Sequence, residues 1–148
     1  MKVLVLSDSH GDSGIVEEIK KKENPDLAIH LGDYGRDLKD GIAVRGNCDG
    51  ITNLPFKRLL NLKGHRVFIS HGHKENVKMG LHRLFYLAKQ EGADIVLYGH
   101  THERLEKEIE GILFLNPGSV ARPNWGDRPS YLILNLEEGS VKPSFIEI

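Results

Sequence analysis

Residues 2–12, KVLVLSDSHGD, open this 148-residue chain with an apolar run that stops abruptly on an aspartate and a histidine. Lys2 to Leu6 is almost continuous in Val and Leu, as in a strand covered on both faces within a parallel sheet. Asp8 and His10 fall just past its end. The arrangement recurs: Leu27 to Leu31 runs into Gly32-Asp33, Ile42 to Val44 into Gly46-Asn47-Cys48-Asp49, Arg66 to Ser70 into His71-Gly72-His73, and Ile95 to Tyr98 into Gly99-His100-Thr101-His102. A further run, Ile112 to Leu115, ends on Asn116-Pro117-Gly118-Ser119, which carries no obvious ligand. In open α/β sheets functional groups gather outside the carboxyl ends of strands, where loops converge on a rigid frame.

The intervening segments complete an α/β pattern. A helix is expected from Asp12 or Ser13, either of which can cap it, through Ile15, Val16 and Ile19 to Asn24-Pro25. Residues 34–41 are too short for an ordinary crossover and read as an abbreviated connection. Lys57 to Leu62 and Arg66 to Ser70, joined by Lys63-Gly64-His65, read as a hairpin. Val77, Leu81, Leu84, Phe85 and Ala88 at helical spacing predict a helix over 77–91, stopped by Gly92. Segments near 103–109, 112–115, 130–136 and 141–147, joined by Gly-bearing turns, predict an antiparallel C-terminal third. The sum is one domain, residues 1–148: an α/β sandwich of mixed sheets flanked by helices.

Composition narrows the functional classes. Lys plus Arg number 20 against 21 Asp plus Glu, a net charge of -1, so no basic excess advertises a nucleic-acid groove. Cys48 is the single cysteine, which excludes an intrachain disulfide, and Met1-Lys2 leads directly into a strand without a signal-peptide pattern. No apolar run approaches the roughly 20 residues of a membrane span. These features predict a cytoplasmic protein.

Each strand-end fragment alone has an ordinary reading: Asp8-Ser9-His10 as helix-capping residues, Gly32-Asp33 as a turn. Together Asp8, His10, Asp33, Asn47, His71, His100 and His102 make a mixed oxygen and imidazole set, suited to Mn, Fe, Co, Ni or Zn better than to Mg or Ca. Asp33, offering two carboxylate oxygens, is the natural bridge between two cations. Paired divalent cations serve phosphate ester chemistry.

The ordered fragments resemble the calcineurin-like metallophosphoesterases, which carry an Asp-x-His, a Gly-Asp, a Gly-Asn followed by His or Cys and an acid, a His, and a Gly-His-x-His. The likeness spans the chain and is closest to the small single-domain YfcE-like phosphodiesterases of bacteria and archaea. It implies a β-sandwich of two mixed sheets flanked by α-helices. It implies two divalent ions, with Mn favoured: one held by Asp8, His10, Asp33 and His102, the other by Asp33, Asn47, His71 and His100, with a hydroxide bridging them. The substrate it implies is a small phosphodiester or other phosphoester.

Many members of the superfamily carry a histidine where this chain has Cys48, and that histidine is thought to assist the leaving group. Its absence predicts weaker activity on esters with basic alkoxide leaving groups and better activity on aryl phosphodiesters. Cys48 itself is expected to be a small half-buried neighbour of the site, with no base placed to activate its thiol. Asp49 and backbone carbonyls are the expected acceptors that orient ligating imidazoles, and His73 is a candidate proton donor or phosphate contact. Arg122 and Arg128, flanking Trp125, are candidate substrate contacts; His30, His65 and His82 are read as structural or surface residues. Homo-oligomerisation stays open. Two other classes remain beside the phosphodiesterase: a protein-binding scaffold of the same fold, as in the retromer subunit, and a nuclease.

Overall fold

The computed structural model describes residues 1–148. Its elements are β1 (Lys2–Leu6), α1 (Ser13–Glu23), β2 (Leu27–His30), β3 (Ile42–Ala43), β4 (Lys57–Leu62), β5 (His65–Ser70), α2 (His82–Glu91), β6 (Ile95–Leu97), β7 (Arg104–Ile109), β8 (Ile112–Pro117), β9 (Ser130–Glu137) and β10 (Ser140–Glu147), with single 3₁₀ turns at Gly35–Asp37 and Val77–Met79. They form two five-stranded sheets, ordered β10-β9-β1-β2-β3 and β4-β5-β6-β8-β7. In the first, β1, β2 and β3 are parallel while β9 and β10 run antiparallel. In the second, β5, β6 and β8 are parallel, and the hairpin partners β4 and β7 are antiparallel at the two edges. The antiparallel C-terminal third is therefore shared between the sheets: β7 pairs with β8 in one, β9 with β10 in the other.

The sheets stack face to face around Val3, Val5, Ile29, Leu31, Val67, Ile69, Ile95, Leu97, Leu132 and Leu134. The alternate residues of the same strands face outward under helices: Leu4, Leu6 and Ile133 meet Val16 and Ile19 of α1, while Phe68, Val96 and Phe114 meet Leu84 and Ala88 of α2. Apolar side chains are thus needed at every position of the central strands, which is why β1 and β6 read as continuous apolar runs rather than alternating ones.

Local signals set the boundaries. Asp12 caps α1, its Oδ1 accepting from Ile15 N–H at 3.1 Å, and Asn24 ends the helix in a left-handed conformation before Pro25. The abbreviated connection is realised as the 3₁₀ turn and a two-residue β3. One expectation fails: 77–91 is not a single helix. Gly80, at φ 133° and ψ 178°, interrupts it, so that a 3₁₀ turn precedes an α2 beginning at His82. Val77 and Leu84 still bury toward the same cluster, which is why the apolar spacing read as continuous.

Candidate metal centre

The loops leaving β1, β2, β3, β5 and β6 converge at one end of the sandwich. Ligand atoms of Asp8, His10, Asp33 and His102 lie within 4.8 Å of one another. His102 Nε2 is 3.1 Å and His10 Nε2 4.0 Å from Asp8 Oδ1, and His10 Nε2 is 3.6 Å from Asp33 Oδ2. A second group shares Asp33: His71 Nε2 is 3.4 Å from Asp33 Oδ2, 3.1 Å from Asn47 Oδ1 and 3.3 Å from His100 Nδ1. All seven donor residues expected from the sequence are brought together.

The donor set fits cations on its own chemistry. Buried Asp8 Oδ1 has only the imidazoles of the cluster around it, His102 Nε2 nearest at 3.1 Å, and buried His10 Nε2 has no hydrogen-bond partner, a costly arrangement unless a cation meets them. Asp8 Oδ2, by contrast, is satisfied by Ser7 Oγ–H at 2.5 Å and His100 N–H at 3.3 Å, so Oδ1 alone points into the cluster. Asp33 behaves likewise: Cys48 N–H donates to its Oδ1 at 2.8 Å, leaving Oδ2 facing both groups. Oδ2 is thus the Asp33 oxygen nearest both imidazoles, while Oδ1 also accepts a backbone hydrogen bond. Gly46 permits this, because a Cβ there would collide with the Asp33 carboxylate.

Backbone strain concentrates at the same place. Asp8, His10, Asp33, His100 and His102 have φ of 57°, 47°, 60°, 70° and 59°, the left-handed region that non-glycine residues avoid unless the surroundings hold them there. Three polar assemblies do the holding. Asp49 accepts from the N–H groups of Asp33, Tyr34, Gly35 and Gly46 at 2.6–2.9 Å, tying the two loops that carry Asp33 and Asn47. Gly32 N–H donates to His30 Nδ1 at 3.0 Å, so Nε2 carries the proton toward Ser9 Oγ at 2.7 Å, and Ser9 in turn donates to Asp37 Oδ2 at 2.6 Å. Asn116 Nδ2 donates to Gly99 O and Thr101 Oγ1 at 3.1 and 3.0 Å, while Ser119 Oγ donates to Asp8 O at 2.8 Å. Asn116 at the end of β8 and Ser119 just beyond it, which supply no ligand, thus tie together the loops that carry Asp8, His100 and His102.

Backbone carbonyls orient the imidazoles: His71 Nδ1 donates to Leu31 O at 2.7 Å and His102 Nδ1 to Arg122 O at 2.5 Å. Asp49 does not share that role, contrary to expectation, because its carboxylate is filled by backbone donors. Burial lowers His10, and burial with the charge of His71 lowers His100 to about 4. Burial works against His71, yet its hydrogen bond to Asp33 and the charge of Asp8 raise it, and Asp8 raises His102 through a hydrogen bond. Burial would raise the Asp33 carboxyl, but His71 outweighs it and holds Asp33 well below the usual carboxylate range. The Asp8 and Asp33 carboxylates thus favour the protonated form of His71 and His102 relative to a free imidazole.

His73 lies beside the second group, its ring 5.4 Å from His71 and 6.1 Å from His100, lowered first by burial and then by the charge of His71. Cys48 is exposed rather than half-buried, since its backbone, not its side chain, is what packs against Asp33. Burial and the Asp33 carboxylate push its thiol up, which disfavours a thiolate nucleophile. The Arg122 charge reaches His10, whereas Arg128 is exposed and forms no ion pair. His30 is fully buried in its relay, His65 is buried between Asp94 and Glu137 O, and His82 is exposed at the start of α2. A groove of about 920 Å³ between α2 and β7 contains none of the seven donors. No helix is long and apolar enough to cross a membrane.

The chain is similar to known proteins over nearly its whole length. The profile of the calcineurin-like phosphoesterase superfamily domain matches residues 1–139. YsnB of Bacillus subtilis, named a probable metallophosphoesterase, is 33% identical over 154 residues, covering 99% of this chain and 91% of that protein. The phosphodiesterase YfcE of Escherichia coli K12 is 35% identical over 109 residues, 68% of this chain and 55% of YfcE. A crystal structure from Streptococcus pneumoniae TIGR4, described as a predicted phosphoesterase, superposes with a TM-score of 0.89 at 31% identity, covering 99% of this chain and 88% of that one. The chain belongs to the calcineurin-like phosphoesterase superfamily, a metal-dependent family of hydrolases acting on phosphoric ester bonds.

Proposed function

We propose that the chain is a phosphodiesterase with a dinuclear centre, in which Asp8, His10, Asp33 and His102 hold one divalent cation and Asp33, Asn47, His71 and His100 a second. The observation that carries this reading is Asp33 Oδ2, directed at both His10 and His71 while Oδ1 is tied to a backbone N–H. Cations held there would supply a solvent nucleophile of lowered pKa and offset charge on the phosphoryl oxygens. The mixed nitrogen and oxygen donors suit Mn, Fe, Co, Ni or Zn, and Mn is the ion we propose among them.

The chain's own residues contribute position and electrostatics. Asp49 positions Asp33 and Asn47, the carbonyls of Leu31 and Arg122 orient His71 and His102, and His73 stands next to the second donor group as the side chain assigned to the leaving oxygen. With Cys48 in place of the superfamily histidine, aryl diesters, whose leaving groups need no proton, are the better substrates.

Bis-p-nitrophenyl phosphate assayed with and without Mn²⁺ tests the reading, alongside Asp33→Ala and His71→Ala. Turnover should require the metal and fall at least roughly a hundredfold in either variant. Metal-independent turnover, or turnover that survives both substitutions, would sink it; no turnover at all would favour a protein-binding scaffold.

A further inference from the structure

Beside the Asn47, His71 and His100 donors the surface carries a pair of fixed cations. From His71 the rings step outward, 5.4 Å to His73 and 5.8 Å more to Phe56. Lys74 Nζ lies 4.0 Å and the Arg45 guanidinium carbon 4.9 Å from the centroid of Phe56. Arg45 is held at both ends, its backbone N–H donating to Pro55 O at 2.7 Å and its Nη2 to Gly50 O at 2.8 Å. Neither cation is paired with a carboxylate. A cation on an aromatic face keeps its charge while its stem is restrained, so part of the ordering entropy is lost before a ligand arrives. In a chain of net charge -1, two unpaired cations fixed next to a donor cluster are a local anion receptor rather than part of a general basic surface.

We propose that Arg45 and Lys74, seated on Phe56, bind a second anionic group of the substrate, so that the preferred phosphodiester carries a further phosphate beyond the scissile one. This rests on the phosphodiesterase reading and deepens it by naming a substrate class: phosphodiesters that carry a second phosphate. The scissile phosphate faces the donor cluster, and the second reaches past His73 to the cation pair.

Two chromogenic diesters differing in one group decide the matter: thymidine 5′-(p-nitrophenyl phosphate) and the same ester bearing a 3′-phosphate, both assayed with the Mn²⁺-loaded protein. The 3′-phosphate should lower KM about five- to tenfold, the size of two exposed charge pairs, with kcat little changed. The advantage should vanish in Arg45→Gln/Lys74→Gln and shrink in Lys74→Gln alone, a substitution at an exposed position that leaves the fold readable if the double variant does not. Lys107→Gln/Lys142→Gln, removing the same charge from exposed sites on β7 and β10, should keep it. Equal KM for the two esters, or an advantage that survives the double substitution, overturns the assignment and leaves the phosphodiesterase reading standing. No metal-dependent turnover of either ester or of bis-p-nitrophenyl phosphate overturns both.

Discussion

At Asp49 one carboxylate accepts from four backbone N–H groups on two loops, so its removal acts on Asp33 and Asn47 without touching either. Asp49→Asn places an amide N–H₂ against two of those donors; a stability loss of about 2–4 kcal/mol in urea unfolding is expected, with weaker Mn²⁺ binding by titration calorimetry. Unchanged Mn²⁺ affinity would show that the loops hold without it. His30 makes a prediction about pH. Burial holds its folded pKa near 4, below the 6.5 of an unfolded histidine, so its contribution is whole above about pH 6.5 and is lost as pH falls toward 4. The slope contributed is at most about 1.4 kcal/mol per pH unit, and His30→Gln should flatten it in that window when unfolding is followed by circular dichroism. The seven donors were legible because each stands where a strand stops. Asp49 as a clamp on backbone was not, since nothing in Gly-Asn-Cys-Asp tells whether a carboxylate turns toward an imidazole or toward N–H groups two loops away.

Among the elements, the central strands were legible for a plain reason: helices outside and a facing sheet inside demand apolar residues on both faces. The start of α2 was not, because Gly80 inside an apolar helical spacing looks tolerable until its φ of 133° is known. The Asn116–Ser119 loop was read only as a turn after a strand. Its function rests on hydrogen bonds to Gly99, Thr101 and Asp8, partners far away in sequence. Asn116→Ala therefore removes the tie to the His100–His102 loop while leaving every donor in place. Mn²⁺ affinity should drop about 10- to 100-fold with little change in the far-ultraviolet circular dichroism spectrum. An unaltered affinity would mean the strained φ values of His100 and His102 are maintained by other contacts.

For the whole molecule, the donors divide between the sheets: Asp8, His10, Asp33 and Asn47 follow strands of the first, His71, His100 and His102 strands of the second. Cations bound between them would cross-link the two sheets as well as serve chemistry. Mn²⁺ at about a hundredfold over its Kd should stabilise the fold by roughly 2.7 kcal/mol, and chelation should lower Tm by about 5–10 °C. Since His71 and His102 hold protons above the ordinary imidazole range when metal is absent, binding must displace them. Mn²⁺ affinity should accordingly rise with pH through neutrality, and a flat profile in calorimetry would contradict that proton release. The strand order also bears on how the protein is made. Translation has delivered the last donor by His102, yet β1, the strand behind Asp8, is flanked on its second edge only when residues 130–137 arrive as β9. The ligands therefore emerge from the ribosome before the frame that aligns them, so the site is completed by the arrival of β9 rather than by its own residues.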